Sequence, residues 1–205
     1  VTAFRFGRND GLRGSQLVAF QVHTGFELAD DPNGGCWGTF VDCGTDASVH
    51  GWRAEGKTGH TVGITGGYWW NHYQSFMLNN PNLCMRIGNV EMQTNGGPVI
   101  DAKACHQLLV TGCRIGRSME NPTDPFINLQ AVNSFTMNGC VTSTLSPVFS
   151  LGKDLKHAAI NGNVFEKSRY ARILIDERSK DADIVFSGNS GMEPLPSNDA
   201  SGKAK

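Results

Sequence analysis

Aromatic residues make up only 9% of the 205-residue chain, and its net charge is −1 with an isoelectric point near 6.6. A near-neutral chain lacks the basic stripe that grips a phosphate backbone, so nucleic acid is not an expected partner. A membrane-spanning helix needs roughly 18 or more consecutive apolar residues. No stretch of this chain approaches that length, and no membrane span is expected. There is no Cys-x-x-Cys and no zinc-type Cys/His spacing among the six cysteines and six histidines. The opening Val1-Thr-Ala-Phe-Arg-Phe6 lacks the ordered basic, apolar and cleavage-site regions of a signal peptide and reads as a strand. Neither end reads as a cap for a repeat protein, so the expectation is a piece of a longer chain or a mature form. The apolar residues also lack the 3.6-residue recurrence of helices.

What is present is a repeat. Phe40-Val-Asp-Cys43, Ile64-Thr-Gly-Gly67, Met85-Arg-Ile-Gly-Asn89, Val110-Thr-Gly-Cys113, Met137-Asn-Gly-Cys140, Ile160-Asn-Gly-Asn163 and Phe186-Ser-Gly-Asn189 are variants of one phrase, and their last residues lie 24, 22, 24, 27, 23 and 26 positions apart. A period of 20–30 residues means one supersecondary unit, stacked on itself. Short β-branched runs and 25 glycines make each unit a coil of strands joined by tight corners. The fold class expected is all-β, a right-handed parallel β-helix of about seven to eight rungs over residues 1–192, followed by a flexible tail over 193–205. A second strand per rung begins at Gly51, Ser75, Pro98, Pro125, Pro147 and Ala171. The column residues Cys43, Asn89, Cys113, Cys140, Asn163 and Asn189 are expected to stack inward, as small buried thiols and an amide ladder. Disulfides Cys36–Cys43 or Cys84–Cys105 stay open for a secreted protein.

The rung, as in Ile160-Asn-Gly-Asn-Val-Phe165, resembles that of the pectin-lyase-like superfamily. Phe6-Gly-Arg-Asn-Asp-Gly-Leu-Arg-Gly14 and Gly38-Thr-Phe-Val-Asp-Cys-Gly-Thr-Asp46 look like the pectate-lyase-type domains of phage tailspikes and polysaccharide-degrading proteins. The resemblance implies a polysaccharide partner, an extracellular or virion-associated setting and a homotrimer. It also implies cleavage of an acidic or complex glycan, by a glycoside hydrolase or a polysaccharide lyase, with a non-catalytic adhesin or tail-fibre segment as the alternative. Fold alone does not choose between these.

Departures from the repeat locate candidate chemistry. Tyr68-Trp-Trp-Asn-His-Tyr73 packs four aromatic rings and an imidazole into six residues. Strand alternation turns Trp69 inward and Tyr68, Trp70 and His72 outward, where they are expected to stack on sugar rings; covering a hydrophobic edge or a subunit contact is the competing reading. One interval is long, because Gly116 to Asp124 forms an extended loop after Cys113. Near it stand Arg114, Arg117, Glu120, Asp124 and Asp101. A lyase needs a base beside a cation that holds the uronate carboxylate, and a hydrolase needs two carboxyls across the bond. Asp101, Glu120, Asp124 and Arg114 are therefore the catalytic candidates, and Tyr68, Trp70, His72 and Arg117 the substrate-binding ones; solvated charges and surface ion pairs are the plainer reading of the charged residues. An alternative catalytic set, Asp10, Asp30, Asp31 and His50, follows the order of polygalacturonase motifs. Asp42, Asp46 and Glu55 mark a further acidic region. No three carboxylates read as a calcium site, so no cofactor is expected, calcium being the ion such a lyase would take.

Overall fold

A computed structural model describes residues 1–118, 124–143, 147–166, 173–175 and 182–191, with 173–175 described as backbone. Among these residues there is no helix, and eighteen strands join into one continuous parallel sheet wound as a β-solenoid of about seven turns. The tail expected at 193–205 lies outside the described residues.

Each turn has three faces rather than two. The first face stacks β1 (Thr2–Phe6), β4 (Thr24–Leu28), the end of β6 (Gly44–Glu55), the middle of β8 (Tyr68–Gly88), the starts of β10 (Ile100–Thr111) and β12 (Ile127–Asn138), then β14 (Phe149–Leu151) and β17 (Ile173–Ile175). The second face stacks β2 (Asn9–Ser15), β5 (Cys36–Val41), β7 (His60–Thr65), the ends of β8, β10 and β12, then β15 (His157–Asn161) and β18 (Asp183–Ser187). The third is shorter: β3 (Val18–Phe20), the starts of β6 and β8, β9 (Glu91–Thr94), β11 (Arg114–Arg117), β13 (Val141–Ser143) and β16 (Val164–Glu166). The repeated phrase is the end of a second-face strand, and the second strand foreseen in each rung is the first face.

One residue per rung makes the bend from the second face to the third. Gln16, Asp42, Gly66, Asn89, Gly112, Gly139, Gly162 and Gly188 occupy that place, all with φ between 51° and 71°. Glycine enters this left-handed region without steric cost, which explains its prevalence. The alignment corrects one expectation. Because Thr111 pairs with Gly88, Asn89 is the turn residue and Val90 fills the inward column. The column thus reads Leu17, Cys43, Gly67, Val90, Cys113, Cys140, Asn163, Asn189.

Its far end is a ladder. Asn163 Oδ1 accepts from Cys140 N at 2.9 Å, Asn189 Oδ1 accepts from Asn163 N at 3.0 Å, and Asn163 Nδ2 donates to Met137 O at 3.0 Å. Each bond pairs a backbone group that the corner would otherwise strand away from water. The near end of the interior is filled by rings instead: Phe26 lies 4.9 Å from Trp52, Phe40 another 4.9 Å from Trp52, and Trp69 5.7 Å from Phe76, centroid to centroid. All six cysteines are free thiols, so neither suggested disulfide is formed. Burial pushes the Cys105 thiol up to about 12, and the hydrogen bond with Cys140, followed by burial, raises that of Cys113. Such thiols are poor nucleophiles.

Candidate functional site

The third face brings part of the expected site together. Its outward residues form two rows across successive rungs. One reads Tyr68, Glu91, Arg114, Val141, and the other Trp70, Gln93, Gly116, Ser143. Trp69 is fully buried between Tyr68 and Trp70, as the alternation requires; Tyr68 is exposed and Trp70 half-buried. With Val90 turned inward, Glu91 becomes the outward neighbour of both Tyr68 and Arg114. Gln93 Nε2 donates to Glu91 Oε1 at 3.1 Å. Burial, then the charges of Glu91 and Asp46, raise the Tyr68 phenol.

A groove of about 270 Å³ opens in this face, lined by Glu91, Gln93, Arg114, Gly116, Ser118 and Ser143 among others. Gly116 sets its floor. A Cβ there would meet nothing closer than Gln93 Cγ at 3.6 Å, and its φ is not left-handed. Neither backbone nor packing requires glycine at this position, so its effect is to leave space. Glu91 and Gln93 escaped the sequence reading because the one-residue slip at Asn89 displaced their rung, and Gly116 and Ser143 because only the first outward residue after each column position was read. Aligning on the last apolar residue of each second-face strand (Ile64, Ile87, Val110, Met137, Ile160) was the signal that would have placed them.

Arg117 is not offered to solvent as expected of a substrate-binding residue. It is buried, with Nη2 donating to Gly97 O at 2.8 Å and Pro125 O at 3.1 Å, and its guanidinium lies 5.5 Å from the Phe126 ring centroid. It clamps the corner from the third face to the first, and burial lowers its pKa. Asp124 sits half-buried at the same corner, its carbonyl 3.4 Å from Arg117 Nη1. Glu120 lies outside the described residues.

Asp101 does not join Arg114. It projects from the first face and is 5% exposed. Its Oδ2 accepts from Gln74 Nε2 at 2.7 Å and its Oδ1 from Asn128 Nδ2 at 2.8 Å. With both oxygens engaged by amides, it is the centre of a polar network, buried at Gln74 and half-buried at Asn128, in which Gln130 also donates to Asn128.

The alternative set is likewise dispersed. Asp30 Oδ1 accepts from Lys57 N, Thr58 N and Thr58 Oγ1, the last at 2.6 Å. Asp31 Oδ2 accepts from Arg8 N at 3.1 Å and its Oδ1 from Asn33 N at 2.9 Å. These bonds hold both carboxyls below the usual range and tie neighbouring corners together. Asp10 is exposed on the second face, 4.0 Å from Arg8. His50 stands at the opposite end of the first-face strand from Asp30 and Asp31. Its ring edges onto His23 at 5.2 Å and Tyr73 at 5.9 Å, and burial, then the His23 and Arg53 charges, lower its pKa. His72 is exposed, 3.1 Å from Asn95 Nδ2. Asp42, Asp46 and Glu55 do not converge, since they belong to a turn, the third face and the first face.

Carboxylates do converge on the first face. Glu27, Asp30 and Glu55 share a depression of about 270 Å³ with Arg5 and Arg53. Glu27 pairs with Arg5 at 3.6 Å and accepts from Thr2 Oγ1 at 2.9 Å, while Glu55 is bound by Arg53 through Nε and Nη2. Among the described residues no three His, Cys, Asp or Glu side chains are placed to hold a metal ion. These features define the class of the protein as a parallel β-solenoid with shallow, charge-lined outer grooves. No family model, curated protein or solved structure matches the chain.

Proposed function

We propose that the protein is a polysaccharide-recognising β-helix of the pectin-lyase-like kind, right-handed in its winding, and that the third-face groove receives the glycan. One observation carries this reading: exposed Tyr68 and half-buried Trp70 stand one rung before Glu91 and Gln93 and two before Arg114 and Gly116, in continuous outward rows. Ring faces suit the apolar faces of sugars, Glu91 and Gln93 suit hydroxyls, and Arg114 suits a carboxylate or sulfate, to which guanidinium groups bind in a two-pronged fashion. The groove is shallow and open to a chain lying along it. An extracellular or virion-associated setting and a homotrimer go with this proposal.

Cleavage is the second reading, favoured by Glu27 and Glu55 facing one depression. Two carboxyls across a glycosidic bond are what hydrolysis requires. Glu27 is already ion-paired with Arg5 and Glu55 with Arg53, so neither stands free to meet a glycosidic oxygen, and recognition is the better-supported function. Incubation of the protein with bacterial and plant polysaccharides decides the matter. Binding without product fits recognition; new reducing ends point to a hydrolase and unsaturated uronate absorbance to a lyase. If no glycan binds, or if binding survives both Tyr68→Ala and Arg114→Gln unchanged, the third-face proposal fails.

A further inference from the structure

The second face carries another outward surface, which includes Asp10 of the alternative catalytic set. Two rows run side by side across its first four rungs. One reads Asp10, Trp37, Thr61, Cys84, and the other Arg13, Thr39, Gly63, Arg86. Trp37 is 60% exposed, although the other tryptophans are buried or half-buried. Arg13 and Arg86 are also exposed and bracket it in the neighbouring row. Three strand spacings separate their backbones, about 14 Å.

Between the two arginines stand only Thr39 and Gly63, and a groove of about 470 Å³ lies over them, with Trp37 and Thr61 on its flank. Gly63, like Gly116, is a glycine that neither backbone nor packing demands. Its φ is not left-handed, and a Cβ would find Thr39 Cγ2 at 3.8 Å, an ordinary contact. A larger side chain would fit there and fill the groove. The lining holds two guanidinium groups and no carboxylate, in a chain whose net charge is −1.

We propose that this groove is a separate binding site for a linear acidic saccharide, with one ring flat against the Trp37 indole and anionic groups on either side held by Arg13 and Arg86. The indole supplies a rigid apolar platform with an exposed face. The arginines supply charge-assisted hydrogen bonds at a fixed separation. The Thr39 and Thr61 hydroxyls, which both donate and accept, match sugar hydroxyls. Single-stranded nucleic acid also stacks on aromatics, but its affinity comes from many phosphate contacts, and this groove offers two cations. The site shares no lining residue with the third-face groove. It takes from the glycan proposal only the class of ligand.

The test is calorimetric titration of the full chain with four probes: a polyuronate hexamer, a sulfated hexasaccharide, a neutral glucan hexamer and an oligothymidylate. At least one acidic hexamer should bind and quench tryptophan fluorescence, with the neutral glucan weaker by about tenfold or more. Trp37→Ala and Arg86→Gln should each weaken binding by about tenfold or more, as loss of a central aromatic or arginine anchor does. Gly63→Val should block the groove with the melting temperature retained, and Arg114→Gln should leave Trp37-dependent binding intact. The proposal is overturned if neither acidic hexamer binds, if Trp37→Ala leaves their affinity unchanged, or if oligothymidylate alone binds. Binding that depends on Arg114 and not on Trp37 would sink the second-face site while sparing the third-face one; the reverse result does the opposite.

Discussion

The two halves of the solenoid solve the same packing problem with different materials. In the early rungs the interior is filled by volume, with Phe26, Phe40, Trp52, Trp69 and Phe76 touching ring to ring. In the later rungs rings still meet, Phe135 with Phe149 and Phe149 with Phe165, but the corner column is lined by smaller groups, Cys113, Cys140 and Asn163, whose side chains also satisfy the backbone of the corner. The first solution depends on shape and leaves polar atoms stranded, since Trp52 Nε1 and Trp69 Nε1 are buried without a partner. The second adds hydrogen bonds along the corner column. A coil that touches only its neighbours can change material from one rung to the next without changing shape.

Four substitutions or conditions separate these modes. Trp52→Ala should have the largest effect, about 3–5 kcal/mol of lost stability, because it empties the centre of the ring stack. Hydrogen exchange should show the loss concentrated around residues 24–78, with protection at 134–161 retained; uniform loss would mean that the halves unfold as one unit. Asn163→Ala should cost about 1–3 kcal/mol by stranding the Cys140 N–H and the Met137 carbonyl, read as a fall in the urea midpoint. An unchanged midpoint would show the ladder to be decorative.

The third is a pH effect in the early half. His60 is buried, and its Nδ1 accepts from Cys36 N at 2.9 Å, which places the ring proton on Nε2. Burial holds its pKa below the ordinary 6.5. The unfolded chain therefore takes up the proton first, so this contribution is complete above about pH 6.5 and declines as the pH falls below it. The melting temperature should drop between pH 7 and pH 5, and the gap between wild type and His60→Gln should narrow over that range; a constant gap would contradict the assignment. The smallest effect is a gain. Asn89 holds φ 53° where most rungs use glycine, and Asn89→Gly should raise stability by up to about 1 kcal/mol. A loss would mean that the Asn89 side chain contributes more than its backbone costs.

The repeat made the solenoid legible because the left-handed turn admits few residue types and recurs at each rung. It misled at one rung. In Ile87-Gly-Asn-Val90 the glycine ends the strand and asparagine makes the turn, so the familiar Gly-Asn pair sits one place early. Inward residues were readable because the core selects them by size and polarity. Outward residues were not, because solvent places no such demand: Trp37 between Cys36 and Gly38 has no local pattern. Their grouping depends on residues some 23 to 27 positions apart aligning across strands, and so on a correct register at each rung. Asp101 and Arg117 misled for a different reason. A carboxylate or guanidinium near a long loop looks exposed until its partners are known, and these partners come from adjacent rungs and corners.

The line of left-handed corners also makes the molecule divisible into storeys. Gly139 and Gly162 share the same backbone geometry, with φ of 60° and 61°. A deletion running from Gly139 up to Asn161 would join Asn138 directly to Gly162 and remove one whole coil. Cys113 N–H would then face Asn163 Oδ1, the acceptor that now serves Cys140. The shortened chain should keep its far-ultraviolet strand signal and a cooperative melt, whereas a deletion of half that length should lose both. By the same logic the outer grooves have an adjustable length, set by how many storeys stand between one outward anchor and the next.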